Sequence, residues 1–337
     1  MADRFKIVAF GKLSGASVGP ESNELAKANV EAEVVQARYA TEDELIAAAK
    51  DVDVILGGGR LLTRRVIEAL PKCRAIITYS VGFDGIDVQA ATDNGVLVVN
   101  NPATAWCIEE VSNHAIALLL ACAKRLVMLD DWTRKGQWSE ARKALLTSMP
   151  SIHGQTLGLV GCGAIARIVA GKAQCFSMRT VGYDPYLDKS VAAEAGIALT
   201  DLPDVLGQSD FVSVHAPLGQ ETFHLIGENE FRQMKPTAYL INTARGPVVD
   251  EKALIRALQD QRIAGAGLDV FEKEPIDSDN PLLSMKNVVV TPHSASYSEA
   301  ALEMQALNPA QEAARVLNGH WPRNLVNRTV RPKVLLT

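Results

Sequence analysis

One glycine-containing segment constrains the fold of this chain more than any other feature. Gly161, Gly163 and Ala166 follow an apolar run at 156–160 and open an amphipathic helical pattern. Gly161 permits a tight turn, Gly163 leaves room for a pyrophosphate, and Ala166 is small enough for a helix to pack against a strand. This strand–loop–helix context predicts a dinucleotide site, the alternative being a plain structural turn.

The next predicted strand ends in a carboxylate at the spacing that such a site requires. Asp184 follows Gly161 by 23 positions (184 − 161), where about 20 are expected. A carboxylate at this strand end accepts both ribose hydroxyls and repels a 2′-phosphate, so it favours NAD over NADP. The alternative is an exposed aspartate before Pro185 in a turn.

The rest of the chain alternates short β-rich runs with amphipathic helical patterns. This alternation predicts an α/β fold of doubly wound parallel sheets with helices on both faces. We predict strands at 5–10, 33–36, 52–56, 75–79 and 96–99, and a second set at 156–160, 180–184, 211–215, 238–243, 265–270 and 288–291. Helices are predicted at 41–50, which opens with a capping box at Thr41 and Glu44, and at 63–70, 108–135 and 299–317. The tail 331–337 is expected to be loosely held.

Composition excludes several classes of protein. The 337 residues suggest two domains, and 47% apolar with 22% charged residues is a globular balance. A net charge of −5 argues against nucleic-acid or anionic-membrane partners, and the longest uncharged apolar run is short of the roughly 20 residues that span a bilayer. Five scattered cysteines without a CxxC pair favour neither disulfides nor zinc. We expect a cytoplasmic protein without a bound metal.

Polar residues end three further strands of the second predicted sheet. Arg245, Asp269 and His293 follow or close these strands, and Glu274 lies five positions after Asp269. A guanidinium binds a planar carboxylate through two parallel hydrogen bonds. A carboxylate beside an imidazole fixes its tautomer and keeps a proton ready for a carbonyl oxygen. Each residue alone has a structural alternative, but their meeting at one sheet edge favours Arg245, Glu274 and His293 as a catalytic set.

Three other residues are ambiguous. His215 ends a strand at the same edge, where it either lines the cofactor groove or is a packed structural histidine. His114 is expected to face a neighbouring helix or domain. Trp106, at the start of the long helical pattern, is equally consistent with packing and with ligand contact.

The chain resembles the D-isomer-specific 2-hydroxyacid dehydrogenase family. The matching segments occur in the family's order and are 81–87, the Gly161 loop, 214–218, 242–246, 267–275 and 291–293. The resemblance implies a discontinuous substrate-binding domain at 1–102 and 297–337, into which an NAD-binding domain at 103–296 is inserted. It also implies a homodimer that forms through the cofactor domain.

The resemblance assigns roles residue by residue. Arg245, Glu274 and His293 fall on the family's catalytic positions, and the N–H groups of Val81 and Gly82 would join Arg245 in binding the substrate carboxylate. The residues expected to contact NAD are Gly161, Gly163, Ala164, Ile165, Asp184, Ala216, Pro217, Thr222, Thr243, Ala244 and Asp269.

The expected reaction is hydride transfer between NAD(H) and C2 of a small D-2-hydroxy or 2-oxo acid. Ala166 departs from the family's last glycine, and the segment 105–111 is more similar to bacterial relatives of the C-terminal-binding-protein branch. One alternative is therefore an NAD-sensing, corepressor-like dimer. Another is the same fold acting on phosphite or a phosphorylated acid, with Arg60, Arg64 or Arg65 contributing. These motifs do not specify the side chain of the substrate.

Overall fold

The chain folds into two compact units. The computed structural model describes residues 4–10, 19–57, 61–101, 105–145 and 149–337, without the side chains of residues 105, 106, 144 and 306. One unit comprises Met1–Trp106 and Ser298–Thr337, and the other comprises Cys107–Tyr297. The assignment of substrate binding to one domain and cofactor binding to the other stays a prediction at this level.

The first unit contains a five-stranded parallel sheet with the order β2-β1-β3-β4-β5, which is the flavodoxin-like order. Its strands are β1 Phe5–Ala9, β2 Ala32–Gln36, β3 Val54–Leu56, β4 Ala75–Ile77 and β5 Leu97–Val99. Every residue of β3, β4 and β5 is buried. Helices cover both faces of a parallel sheet, which explains why these strands are continuously apolar.

Among the described residues, five α-helices surround this sheet: α1 Gly19–Lys27, α2 Glu42–Ala48, α3 Arg64–Glu68, α4 Val88–Asp93 and, near the C-terminus, α13 Glu299–Leu317. The predicted cap of α2 is present, because the Glu44 N–H donates to Thr41 Oγ1 over 3.3 Å. The Glu44 carboxylate reaches back to the N–H of Ala40, one residue before the position that a capping box predicts.

The C-terminal segment is fastened to the first unit. The Lys333 ammonium donates to the carbonyl oxygens of Pro71 and Cys73, each over 3.0 Å. The Thr337 N–H donates to the Gly319 carbonyl over 2.7 Å. The expectation of a loosely held tail was wrong, because a lysine that reaches backbone carbonyls in a loop distant in sequence leaves no periodic signal.

The second unit contains a seven-stranded parallel sheet with the order β12-β11-β10-β9-β6-β7-β8. Its strands are β6 Thr156–Val160, β7 Arg179–Tyr183, β8 Ala198–Leu199, β9 Phe211–Val214, β10 Tyr239–Asn242, β11 Gly265–Leu268 and β12 Val288–Val290. Six of these strands were predicted, and the two-residue edge strand β8 was missed because it is too short for a pattern. The strand order reverses between β6 and β9, and in open α/β sheets ligands bind at such a switch point.

In the described part of this unit and its lead-in, eight α-helices occur: α5 Ala105–Ala123, α6 Leu126–Arg134, α7 Trp138–Ala144, α8 Ala164–Cys175, α9 Lys189–Glu194, α10 Leu202–Gln208, α11 Glu228–Gln233 and α12 Glu251–Gln259. The prediction of one helix over 108–135 was wrong, because Arg125 adopts a left-handed conformation (φ 50°) and separates α5 from α6 by a 62° bend. In the described ranges no single helix is long and apolar enough to span a membrane, although the bent pair 107–123 and 126–134 together meets that length and composition.

We expect Asn327→Ala to destabilise the first unit. The buried Asn327 side chain accepts the Val98 N–H over 2.8 Å and donates to the Val96 carbonyl over 2.9 Å. Leaving these buried groups unpaired costs about 1–3 kcal/mol, which a lower urea midpoint would report. Asn318→Ala, which removes one exposed bond to Ala28, is the control. Equal midpoints for both variants would contradict the assigned role of Asn327.

Candidate active site

The glycine loop after β6 is shaped for close packing on one side and open space on the other. Gly161 has φ +83°, and a Cβ there would lie 2.6 Å from the Ala216 nitrogen. Gly163 is the N-cap of α8 without a side-chain hydrogen bond, and a Cβ there would meet no atom of the described residues within 4 Å. The first N–H groups of a helix have no intrahelical partner, so this open side suits a phosphate. Ala166 is fully buried.

Asp184 is tied to the glycine loop by its backbone contacts. Its Oδ2 accepts the Cys162 N–H over 2.8 Å, and its Oδ1 accepts the N–H groups of Tyr186 (2.9 Å) and Leu187 (3.1 Å). An ionised carboxylate offers about four acceptor sites, so capacity for a further donor remains. Sequence reasoning did not identify this anchoring role, and the ribose contact of Asp184 stays a prediction.

One residue at the carboxyl end of β10 is suited to contact a dinucleotide. Thr243 is buried, and its Oγ1 has no hydrogen-bond partner among the described residues. Buried hydroxyl groups are almost always paired, so this oxygen is suited to an external polar ligand. Together with the open space beside Gly163, it is compatible with NAD in this groove.

Two other predicted cofactor residues also have structural roles. Thr222 Oγ1 accepts the Gly219 N–H over 2.8 Å and donates to the Pro217 carbonyl, which closes the turn after β9. The Asn242 Oδ1 accepts the Ala244 N–H over 3.0 Å. The contacts predicted from Ala164, Ile165, Ala216, Pro217, Thr222 and Ala244 to NAD stay predictions.

The predicted acid–base pair is brought together. His293 Nδ1 lies 2.8 Å from Glu274 Oε2, and Glu274 Oε1 accepts the Phe271 N–H over 3.1 Å. An ionised carboxylate only accepts hydrogen bonds, so Nδ1 carries the hydrogen and Nε2 is left for another partner. The hydrogen bond to Glu274 raises the pKa of His293 above its ordinary value, against the effects of burial and of the Arg245 charge.

Arg245 is held beside this pair by close backbone packing. It precedes Gly246, where a Cβ would lie 1.9 Å from the Phe271 carbonyl oxygen. Only glycine lets the segment after β10 approach the segment that carries Glu274. The Arg245 guanidinium donates to the Ala244 carbonyl over 2.7 Å, and its positive charge lowers the pKa of His293.

Asp269 has a fully buried carboxylate, and its backbone carbonyl accepts the His293 N–H. Its oxygens accept the Thr291 hydroxyl over 2.6 Å and the N–H groups of Ser294 and Ala295 over 2.9 Å. Burial acts to raise its pKa, but hydrogen bonds from His114, Thr291, Ser294 and Ala295 lower it below the ordinary value. The predicted contact of Asp269 with NAD stays a prediction, and its observed role is to order the turn around His293.

Sequence reasoning missed the position of His114. Its Nε2 lies 2.9 Å from Thr291 Oγ1 and 3.5 Å from Asp269 Oδ1. The two partners lie at the carboxyl ends of β11 and β12, although His114 is on α5, 177 positions before Thr291. A lone histidine in an apolar helical pattern gives no signal for such a contact.

The predicted carboxylate-binding loop belongs to the first unit. The Asn100 side chain donates to the Val81 carbonyl and the Ser80 hydroxyl donates to the Gly82 carbonyl, both over 2.9 Å. These bonds orient the peptide groups that carry the N–H groups of Gly82 and Phe83. The role of the Val81 and Gly82 N–H groups in binding substrate stays a prediction.

The structure shows the surroundings of several residues whose roles the sequence leaves open. His215 Nε2 lies 2.9 Å from Ser213 Oγ, and burial lowers the pKa of His215 to about 4, which is typical of a neutral structural histidine. Arg64 is ion-paired with Glu68 and Asp93, and Arg65 with Glu42 and Asp43. Arg60 and the side chain of Trp106 lie outside the described residues.

A second histidine–carboxylate group lies outside this site. His224 Nε2 is 2.7 Å from Glu272 Oε1 and its Nδ1 is 3.9 Å from Asp250 Oδ2. Asp250 also caps α12 through the Ala253 N–H, and Glu272 accepts the Glu251 N–H. The group therefore connects the start of α12 to the segment that leads to Glu274.

Comparison with known proteins decides the family. Residues 116–295 match the family model described as "D-isomer specific 2-hydroxyacid dehydrogenase, NAD binding domain", which is more than half of the chain. The chain belongs to the D-isomer-specific 2-hydroxyacid dehydrogenase family. The predictions of family, α/β fold class, NAD as cofactor and dehydrogenase activity are thereby confirmed.

Individual relatives support this placement. The chain is 43% identical over 290 residues to a glyoxylate reductase from Korarchaeum cryptofilum, covering 85% of this chain and 86% of the relative. It is 38% identical over 298 residues to a D-3-phosphoglycerate dehydrogenase from Methanocaldococcus jannaschii, covering 88% of this chain and 55% of that protein. Among solved structures, a holo form of D-mandelate dehydrogenase from Rhodotorula graminis has a TM-score of 0.87 at 26% identity, covering 98% of this chain and 99% of that one. The C-terminal-binding-protein branch, the homodimer and the cytoplasmic location stay predictions.

We expect Gly163→Ala to weaken NADH binding with only a small loss of stability, because alanine is a poorer N-cap residue than glycine. A Cβ at this position meets no described protein atom and the backbone is extended (φ −66°), so the methyl group would collide only with a bound dinucleotide. We predict a rise in the NADH dissociation constant of about tenfold, equivalent to about 1.4 kcal/mol, in a fluorescence titration, with a urea midpoint that falls less than in Gly161→Ala.

Gly161→Ala is the matched variant. The alanine Cβ would collide with Ala216, and an alanine backbone would be strained at the φ of +83° that Gly161 adopts. This variant should lower the urea midpoint itself. NADH affinity equal to wild type in Gly163→Ala would contradict a phosphate position beside the first turn of α8.

Proposed function

We propose that this dehydrogenase reduces small 2-oxo acids of the glyoxylate type to D-2-hydroxy acids. The observation that carries the proposal is the 2.8 Å bond between His293 and Glu274, in the same unit as the glycine loop. The names of relatives that are 38–43% identical to this chain support a small substrate, because seven relatives in this range of identity are glyoxylate reductases.

The proton transfer follows from the tautomer of His293. Bound NADH supplies the hydride that goes to C2 of the 2-oxo acid. His293 donates its Nε2 proton to the carbonyl oxygen, which becomes the hydroxyl group, and the imidazole becomes neutral. Glu274 keeps the Nδ1 hydrogen in place and stabilises the positive charge before the transfer. In the oxidative direction, neutral His293 accepts the hydroxyl proton at the same nitrogen.

Arg245 is assigned to the substrate carboxylate and carbonyl. A guanidinium stays protonated at any working pH and matches a carboxylate with two parallel donors. Its charge also opposes protonation of His293, whereas Glu274 favours it. These opposed effects leave the imidazolium able to release its proton. The N–H groups of Val81 and Gly82 are proposed as further carboxylate donors.

An unphosphorylated substrate is favoured over a phosphorylated one. Of the three arginines named for a phosphate, Arg64 and Arg65 are exposed on α3 and each is ion-paired with two carboxylates, whereas Arg60 lies outside the described residues. Binding a phosphate there would require breaking those pairs.

A substrate panel tests the proposal. Purified protein is mixed with NADH and glyoxylate, hydroxypyruvate, pyruvate, an aromatic 2-oxo acid or a phosphorylated 2-oxo acid, and nicotinamide absorbance is followed. We expect kcat/KM for glyoxylate to exceed that for the aromatic acid by about tenfold or more, which is the range that pocket size alone gives. His293→Ala should bind NADH with little turnover.

Two outcomes would refute the proposal. No absorbance change with any acid would contradict turnover of this substrate class. A preference for the phosphorylated acid would overturn the choice of an unphosphorylated substrate.

The pH dependence should change in a defined direction in Glu274→Gln. Reduction needs protonated His293, which is present below its pKa and lost as pH rises through it. Glu274 raises that pKa, so the neutral glutamine should move the alkaline limb of reductive kcat to lower pH, by on the order of one unit.

The oxidative reaction needs neutral His293, so its acid limb should move to lower pH as well. Profiles of kcat against pH in both directions measure the shift, with Glu194→Gln, an exposed residue of α9, as the control. An unmoved limb in both directions would remove Glu274 from the proton step.

A further inference from the structure

His114 lies outside the predicted catalytic set and contacts two residues of the turn that carries His293 and of the strand end beside it. It lies on α5 with its side chain 23% exposed, and its Nε2 contacts Thr291 Oγ1 and Asp269 Oδ1. We propose that His114 is a positioning residue that holds the turn carrying His293. The inference rests on the proposed function, because it requires His293 to be the proton donor.

The direction of the hydrogen bonds can be deduced. The Thr291 hydroxyl has one hydrogen and lies 2.6 Å from Asp269 Oδ1. The pKa of Asp269 is lowered, so its carboxylate is ionised and can only accept. The hydroxyl therefore donates to Asp269, and its oxygen accepts from His114. His114 must carry its hydrogen on Nε2.

These bonds act on His293 through the backbone of the turn. The Asp269 carbonyl accepts the His293 N–H over 2.8 Å, and its carboxylate accepts the N–H groups of Ser294 and Ala295, the two residues that follow. His293 itself has φ +52°, a left-handed conformation that is uncommon outside glycine. The donor on His114 fixes Thr291, so the turn is held on both sides of His293.

The charges that face His293 define what loosening this turn would do. Glu274 and Asp269 raise the pKa of His293, and Arg245 lowers it. The largest of these effects is the hydrogen bond to Glu274, which depends on a short distance between the two side chains. If the turn loosens, that bond weakens and the pKa of His293 falls. No hydrogen bond joins His114 to His293 among the described residues, so the effect of His114 passes through Thr291 and Asp269.

The test compares two replacements of His114. His114→Leu removes the donor at similar volume, whereas His114→Gln keeps an N–H donor at the same number of bonds from Cα. We expect His114→Leu to lower reductive kcat about tenfold, leave the NADH dissociation constant unchanged and move the alkaline limb of kcat to lower pH. His114→Gln should restore most of the rate and the position of the limb.

Thr291→Val provides a second variant, because it keeps the shape and removes the hydroxyl. It should move the alkaline limb in the same direction, and the double variant with His114→Leu should be no slower than the slower single variant, since coupled residues are not additive. His153→Leu, an exposed histidine before β6, is the control and should match wild type.

The outcomes separate this inference from the proposed function. Wild-type kcat and pH profile in His114→Leu, with His293→Ala inactive, overturns the inference and leaves the function standing. Wild-type turnover in His293→Ala overturns both. If His114→Leu does not fold, Thr291→Val decides alone, and an unmoved limb there refutes the role of His114. A lower melting temperature with an unmoved limb also counts against it.

Discussion

The active-site geometry depends on the burial of one negative charge. Moving a carboxylate out of water costs several kcal/mol unless donors surround it. Asp269 is fully buried; His114 is one donor near it, and the others come from Thr291, Ser294 and Ala295. These three residues flank His293 on both sides, so satisfying the charge also fixes the backbone of the proposed proton donor. Asp269 therefore orders the backbone of the site, and this role does not depend on its predicted contact with NAD.

Sheet topology explains why residues far apart in sequence share this site. Asn242 pairs with Leu268, and Leu268 pairs with Val290, so β10, β11 and β12 end at the same level. The polar residues that leave each strand, including Arg245, Asp269 and His293, must then emerge at one edge. Glu274 comes from the loop after β11 and reaches His293 at 2.8 Å. The strand order brings these residues to one edge of the sheet. The close backbone packing at Gly246 then lets the segment with Arg245 approach the segment with Glu274.

The parts of this structure that follow from local chemistry were predictable from the sequence. Apolar strands, the glycine loop and the polar residues at strand ends gave the α/β fold and the pairing of Glu274 with His293. The errors arose where no local signal exists. Arg125 breaks a helix without glycine or proline, β8 has only two residues, and Lys333 finds carbonyls in a distant loop. The contact of His114 with Thr291 depends on how a helix packs against a sheet, which periodicity does not specify.

That packing has a physical explanation in the small side chain of one strand residue. A Cβ at Gly267 would lie 3.0 Å from Leu118 Cβ, so glycine lets α5 approach β11 closely. Residues two apart in a strand share a face, and residues four apart in a helix share a face. Asp269 therefore lies on the face of Gly267, and His114 lies on the face of Leu118, one turn earlier. The close approach at Gly267 brings the His114 nitrogen within 3.5 Å of the Asp269 carboxylate. A residue with no side chain therefore determines which side chains contact each other beside the turn that carries His293.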